Sequence, residues 1–303
     1  MAVTNLHIRH QGPVLSGLVR VAWAAATQKT DQTAGPPETP GPVYAEVVGP
    51  RPKALVDDLV RWSGGSPRAW KGTVPPYMFP QWGFPVQGRT LTGIPYPMAK
   101  VLNQGCRFEV QEPLPMGKPL TLKAHLEGVD DDGSRAKLHQ RLVTTVGDSD
   151  SGLLSDIFAY VPLARKKRSG PRRGPPTVPL NAVEVGRRRL GKSAGLDFAR
   201  LTGDFNPVHW IGPYAKMAGF RGIILHGFAT AALAVEAVVA AKWLGNPHKL
   251  GGLEVRFTRP LVLPARVGVF LGPPEEDGRI PLAVGAAPGG EAYMLGHIWA
   301  RPS

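Results

Sequence analysis

Apolar and polar residues alternate along two separate stretches of the chain, and each alternation predicts a run of antiparallel strands. In the first stretch the strands are Cys106 to Val110, Leu120 to Leu126, Ala136 to Val146 and Asp156 to Val161, with Asp130-Asp-Asp-Gly133 as a hairpin turn. In the second they are Leu253 to Phe257, Arg266 to Leu271, Ile280 to Val284 and Tyr293 to Trp299. Leu253, Val255 and Phe257 point one way and Glu254, Arg256 and Thr258 the other, so one sheet face is set to meet a helix. Helical spacing appears before each run. Pro52 to Trp62 places Ala54, Leu55, Leu59 and Trp62 for burial, and a short helix carries Leu196, Phe198, Ala199 and Leu201 before Gly203 breaks it and Pro207 stops it. A longer helix runs from Ala229 toward Gly245-Asn246-Pro247. Only Glu236 and Lys242 interrupt its Ala, Val and Leu strongly, so it has hardly any polar face and should be buried on all sides.

The remaining segments are less regular. Residues 1 to 30 suggest a strand and an apolar segment, residues 34 to 42 form a turn-rich connector, and Val43 to Val48 could be a short strand. The segment from Val74 to Pro97, rich in Pro, Gly and aromatics, reads either as irregular packed core or as a groove for an acyl tail lined by Tyr77, Phe79, Trp82, Phe84 and Tyr96. After Pro207 comes a loop with Gly212, Pro213, Gly219 and Gly222.

The two strand runs belong to an internal repeat. Arg107 to Gly117 aligns with Arg256 to Ala265, and Leu59-Val-Arg-Trp-Ser-Gly64 aligns with Phe198-Ala-Arg-Leu-Thr-Gly203. A repeat of this length predicts two copies of one domain. The division expected is 1–164, a linker at 165–180, and 181–303. The copies differ where chemistry would occur, because Gly65 stands opposite Asp204 and no His lies between His10 and His125.

Asp204, Asn206 and His209 share the bend that follows the short helix. A carboxylate and an imidazole five residues apart on a turn can converge on one small molecule such as water. Partial burial would bring both pKa values toward neutrality, where proton transfer is efficient. Asn206 beside Pro207 would fix the bend by bonding to local backbone. The plainer alternative is a turn-capping Asp and a satisfied, half-buried His. Gly227 opens the long helix, and its N–H at the positive end of the helix dipole suits a developing oxyanion.

The ordered run Phe198-Ala-Arg-Leu-Thr-Gly-Asp-Phe-Asn-Pro-Val-His209, the Gly219-Phe-Arg-Gly222 loop and Ile224-Leu-His-Gly-Phe228 together resemble the signature of the MaoC-like acyl dehydratases, which include the (R)-specific enoyl-CoA hydratases. The resemblance implies an α+β chain of tandem hotdog folds, each a curled antiparallel sheet around a central helix. It implies reversible hydration of a trans-2-enoyl thioester, carried by CoA or an acyl carrier protein, to the (R)-3-hydroxyacyl thioester. Asp204 and His209 would be the catalytic pair, Asn206 their support, and the Gly227 N–H the receiver of the thioester oxygen. Gly222, His226 and Phe228 become candidates for substrate contact, His226 with a structural role as the alternative. The first copy would be degenerate and shape the acyl channel. Some hydratases carry a serine within the central helix where this chain has Val235 or its neighbours, so no hydroxyl is expected there. A hotdog thioesterase and a non-catalytic acyl-CoA binder remain as other readings.

Composition narrows this further. With 303 residues, 43% of them hydrophobic, and seven Trp, the chain can bury a substantial core. Cys106 is the single cysteine, which excludes an intrachain disulfide and argues for a reducing, cytoplasmic setting. Arg20 interrupts the apolar run Val14–Ala26, which is read as domain rather than signal peptide or membrane span. His209 and His226 have no third ligand at a recognisable spacing, so neither metal nor other cofactor is expected. The net charge of +13 asks for an anionic partner. Of the clusters Arg165–Arg168, Arg172–Arg173 and Arg187–Arg189, the first two lie in a Pro/Gly-rich stretch and read as solvated linker, as a site for coenzyme A phosphates or, last, as a nucleic-acid site, which the lack of interleaved aromatics disfavours. Self-association into a homodimer is open, because the duplication could satisfy that pairing within one chain.

Overall fold

The computed structural model describes residues 3–17, 35–147, 149–163 and 174–302. Ten strands form one antiparallel sheet: β1 (Tyr44–Val48), β2 (Leu102–Val110), β3 (Leu120–Asp131), β4 (Arg135–Thr145), β5 (Leu153–Pro162), β6 (Val183–Leu190), β7 (Leu250–Phe257), β8 (Ala265–Leu271), β9 (Ile280–Gly285) and β10 (Ala292–Ala300). Their spatial order is β1-β3-β4-β5-β2-β7-β10-β9-β8-β6. Read from either edge the order is the same in the two halves, with β2 and β7 joined at the centre around the pair Cys106↔Val255. This two-fold plan is the internal repeat made visible, and each half wraps its sheet on helices as a hotdog unit.

The helices repeat as well. In the first half α1 (Lys53–Ser63) is followed by α2 (Pro80–Thr90); in the second α3 (Ala194–Thr202) is followed by α4 (Gly212–Met217) and α5 (Gly227–Lys242). The aligned glycines end α1 and α3 alike, since Gly64 has φ 94° and Gly203 φ 84°, a left-handed conformation that costs other residues a clash at Cβ. Trp62 of α1 meets Phe198 of α3 at 5.1 Å between ring centroids. α5 is buried from Phe228 to Glu236 without interruption, as an apolar helix with no polar face must be, and Leu244-Gly245 in left-handed conformation terminate it.

Several expectations are corrected. The buried stripe of α1 is Leu55, Val56, Leu59 and Val60; Ala54 is exposed and Trp62 half-buried. The stretch between 74 and 97 is not irregular but contains α2, which tolerates Pro85 inside it because the helix lies against β1, β3 and β4, whose packing overrides propensity. Of its five aromatics, Tyr77, Phe79, Trp82 and Tyr96 are core, and only Phe84 keeps appreciable exposure. The loop after Pro207 includes the short helix α4. Asn5–His10 is a 3-10 helix and residues 12–17 are helical rather than a strand; residues 18–34, with most of the Val14–Ala26 run, lie outside the described residues. The strand β6 goes unseen in the sequence, because three consecutive arginines at 187–189 on a sheet edge erase the alternation. Thr177 and Val178 bridge to Glu291 and Pro288, so the end of the expected linker lies on the second half.

Candidate active site at the turn after α3

Three glycines allow close packing here. A side chain at Gly203 would stand 2.7 Å from Val14 Cβ, and one at Gly195 would stand 2.0 Å from the His209 carbonyl oxygen. The N-terminal segment therefore braces the end of α3, helped by Gln11, whose Nε2 donates to the Arg200 carbonyl at 3.0 Å. A side chain at Gly227 would run into the Phe257 ring at 2.4 Å.

Beyond Gly203 the chain turns sharply. The Asn206 side chain accepts from Val208 N at 3.3 Å and caps the single 3-10 turn Pro207–His209, the local bonding that an Asn-Pro pair favours. His209 Nδ1 donates to the Ile224 carbonyl at 2.8 Å, which assigns its hydrogen to Nδ1 and leaves Nε2 as a bare acceptor. Ile224 N in turn donates to the Val208 carbonyl, so the turn and the approach to α5 are tied twice. Burial holds the His209 pKa below its ordinary range, with the Asp204 charge and the Ile224 bond opposing. The neutral, proton-accepting form therefore persists to lower pH. Asp204 keeps 18% of its side chain exposed, whereas His209 is 8% exposed and His226 1%.

Tertiary folding adds His226 to this pair. Donor atoms of Asp204, His209 and His226 all lie within 4.8 Å of one another. This corrects the expectation that the two histidines lack a third potential ligand, since Asp204 is far from His226 in sequence but beside it in the fold. The arrangement still fits an ion poorly. The two imidazoles stack at 3.5 Å between centroids with 25° between planes, which sets their in-plane lone pairs side by side rather than toward one ion about 2.1 Å from each. A separation of no more than 4.8 Å between Asp204 and His209 instead suits one water hydrogen-bonded to both.

Gly227 is the first residue of α5, and His226 before it makes no side-chain capping bond. The N–H groups of the first turn have no intrahelical acceptor, so the positive end of α5 is presented beside the 204–209 turn. Phe228, one residue on, is packed edge-on by Phe79, Phe84 and Phe257, at 5.6, 5.4 and 5.8 Å between centroids, which joins the helix start to the first half. Gly222 leads into the short pairing of residues 223–225 with 261–263 and makes no described contact with the Asp204–His209 pair. Val235 is fully buried in α5, away from any hydroxyl role.

Among the described residues the first half has no such centre. At its corresponding turn a side chain on Gly65 would stand 2.0 Å from Glu236 Oε2, so the space that Asp204 uses in one half is filled in the other by a carboxylate from α5. Trp70 Nε1 donates to Glu236 at 2.9 Å and the Tyr77 hydroxyl donates to it as well. Sequence reading passed over Glu236, Trp70 and Tyr77 as a group; the signal available was one acid inside an otherwise apolar helix.

Residues 176–271 match the family model described as "MaoC like domain". The enoyl-CoA hydratase 2, peroxisomal, of Arabidopsis thaliana is 30% identical over 186 residues, which is 56% of this chain and 59% of that protein. The 3-hydroxyacyl-thioester dehydratase X of Mycobacterium tuberculosis is 27% identical over 201 residues, covering 64% of this chain and 68% of that one. This chain thus spans about three-fifths of the length of the Arabidopsis relative and somewhat more of the mycobacterial one. Among solved structures, a MaoC-like dehydratase of Phytophthora capsici superposes with a TM-score of 0.71 at 18% identity, covering 87% of this chain and 96% of that one, which speaks for the fold. Residues 176–271, which hold the 204–209 turn and the buried helix α5, are thus similar to a MaoC-like domain, within a chain of two hotdog units.

Proposed function

We propose that this chain is a hydro-lyase that reversibly hydrates a trans-2-enoyl thioester, on CoA or an acyl carrier protein, to the (R)-3-hydroxyacyl thioester. The observation that carries the reading is the placement of Asp204 and His209 within 4.8 Å of each other beside the uncapped start of α5. A water between them loses a proton to this pair as its oxygen bonds to C3. The C2=C3 electrons move toward the thioester carbonyl, whose oxygen takes up negative charge against the Gly227 N–H. A proton returned by the pair to C2 completes the addition, and the reverse sequence expels water. His209 Nε2, bare because Nδ1 is bound to Ile224, is suited to accept the first proton. Asn206 holds the bend, and the degenerate first half, with Phe79 and Phe84 against Phe228, borders the space available to the acyl chain.

The similarity of this chain to an enoyl-CoA hydratase and a 3-hydroxyacyl-thioester dehydratase supports the same chemistry. A cytoplasmic setting belongs to the proposal and rests on the lone, buried Cys106. The test is the enoyl-thioester absorbance of crotonyl-CoA and of a longer trans-2-enoyl-CoA. We expect its loss with wild-type enzyme, formation of the (R)-alcohol, and a fall in kcat of at least about 10²-fold in Asp204→Asn and His209→Ala, the scale at which general acid–base groups act. Release of free thiol with the free 2-enoic acid as product, and no hydroxyacyl thioester, would instead identify a thioesterase, and binding without turnover a scaffold.

A further inference from the structure

His226 is a buried titratable group that the hydration scheme does not use. Its Nε2 lies 2.9 Å from the Asp204 backbone carbonyl, which can only accept, so the hydrogen sits on Nε2. The opposite tautomer would set two lone pairs against each other. Nδ1 is then bare, buried and without a hydrogen-bond partner. One ring face lies flat on His209 at 3.5 Å, and the ring also meets Phe198 of α3 at 5.0 Å. Its backbone is the N-cap of α5, one residue before Gly227. A single side chain therefore touches the middle of α3 and both members of the Asp–His pair while its main chain starts the helix whose N–H is assigned to the oxyanion.

We propose that His226 is the positioning residue of this site: its Nε2–H pins the main chain of Asp204 and its ring face fixes the plane of His209, so that the proton-transferring turn and the start of α5 keep one relation. Burial and the neighbouring His209 hold its pKa down to about 3, with the Asp204 charge and the Asp204 carbonyl opposing. The titratable groups facing it are Asp204 and His209, both on the turn, and α3 contributes only the uncharged Phe198. It therefore stays neutral where the enzyme works and competes with His209 for no proton. A cation there would repel protonated His209 and draw the Asp204 charge to itself; a neutral strut leaves both free for substrate. Because Nε2 is engaged and Nδ1 is orphaned, the ring has one acceptable orientation, the condition for holding a neighbour within the few tenths of an ångström that catalysis requires.

The kinetic part of this assignment rests on the hydratase reading, but its geometry is testable without substrate. In 15N-histidine-labelled wild-type protein, two-bond nitrogen–proton correlation should show His226 as the Nε2–H tautomer with no titration between pH 5 and 8, and His209 as the Nδ1–H tautomer. His226 found with hydrogen on Nδ1, or titrating in the ordinary imidazole range, would overturn the assignment. Two variants then separate its contacts. His226→Phe keeps a flat ring on His209 and deletes the N–H; we expect kcat on crotonyl-CoA about 10²-fold lower, KM within about threefold and the His209 midpoint unchanged, because displaced reacting groups cost rate on that scale. His226→Gln keeps a donor and deletes the ring face; water then reaches His209, its midpoint rises, and the acid limb of kcat/KM moves to higher pH by the same interval. Wild-type kcat in both variants, with His209 unmoved, would sink the role. If wild type turned over no enoyl thioester yet His226 showed this tautomer and the Gln variant shifted His209, the hydratase reading would fall and the positioning role would stand.

Discussion

At the scale of single residues the candidate site depends on atoms that are not there. Gly195 has no Cβ because the His209 carbonyl oxygen would be 2.0 Å from it, and Gly227 has none because the Phe257 ring occupies that direction. Gly195→Ala should therefore push α3 away from the 207–209 turn. The expected result is a large loss of kcat, about 10²-fold, with a smaller loss of stability, checked by kinetics beside thermal unfolding. Gly227→Ala should tilt the first turn of α5 and misalign its N–H, with a kcat loss of about 10²- to 10³-fold as for other oxyanion donors. Phe257→Leu in that background should recover part of the loss by making room for the added methyl. The same scale fixes the pH response. His209 is held below the ordinary imidazole range by burial, so activity that needs its neutral form should persist below that range and fall only as His209 finally protonates. A kcat/KM profile whose acid limb lies at or above the ordinary imidazole pKa would contradict this.

At the scale of elements the buried helix α5 carries one buried acid, and that acid joins the halves. Glu236 is 3% exposed, bonded to Trp70 and Tyr77 of the first half, with Arg188 of β6 contributing an opposite charge. Burial raises its pKa, while Tyr77, Trp70 and Arg188 act the other way. In the unfolded chain this carboxyl ionises at its ordinary pKa, and in the folded chain only at higher pH. The unfolded state therefore sheds its proton first as pH rises. This one group makes stability fall with rising pH from the ordinary carboxylate range up to its folded pKa, above which the loss is complete. Glu236→Gln should flatten that slope in urea denaturation series taken at successive pH values. Tyr77→Phe removes one donor from a buried carboxylate and should cost about 1–3 kcal/mol at neutral pH, measured the same way. Neither variant should alter the turn at 204–209, which lies elsewhere on the second half.

At the scale of the whole molecule the central fact is the β2–β7 seam. Residues 105–109 pair with 252–256 in one continuous sheet, so each half covers the edge that the other would leave open. An uncovered edge of this kind is a template for pairing with another chain. The second half expressed alone from residue 174 should consequently self-associate through β7 or lose its cooperative transition, whereas the full chain unfolds with its halves coupled. Sedimentation and calorimetry of both would decide it; a stable, monomeric, active second half would show that the first contributes little. The positive charge is spread over this body, and Arg187 is paired with Glu184 on β6. The basic clusters at 165–168 and 172–173 lie outside the described residues.

The sequence alone determined the elements whose signal is local. Alternation marked eight of the strands, Gly203 and Pro207 marked the end of α3 and the turn, and the aligned Gly64 and Gly203 revealed the duplication, because backbone sterics at a left-handed residue act within a few positions of the chain. Asp204, Asn206, His209 and Gly227 could be named as candidates because they lie in one ordered run that resembles a known signature. Tertiary structure decided the rest. β6 is a strand because β8 pairs with it despite three arginines, and α2 is a helix because a sheet packs against it despite Pro85. His226 joins Asp204 across 22 positions, and Glu236 fills the place of a missing aspartate from another half of the molecule. Burial, stacking and the filling of space are properties of neighbours in three dimensions, and no pattern along the chain encodes which distant residue will supply them.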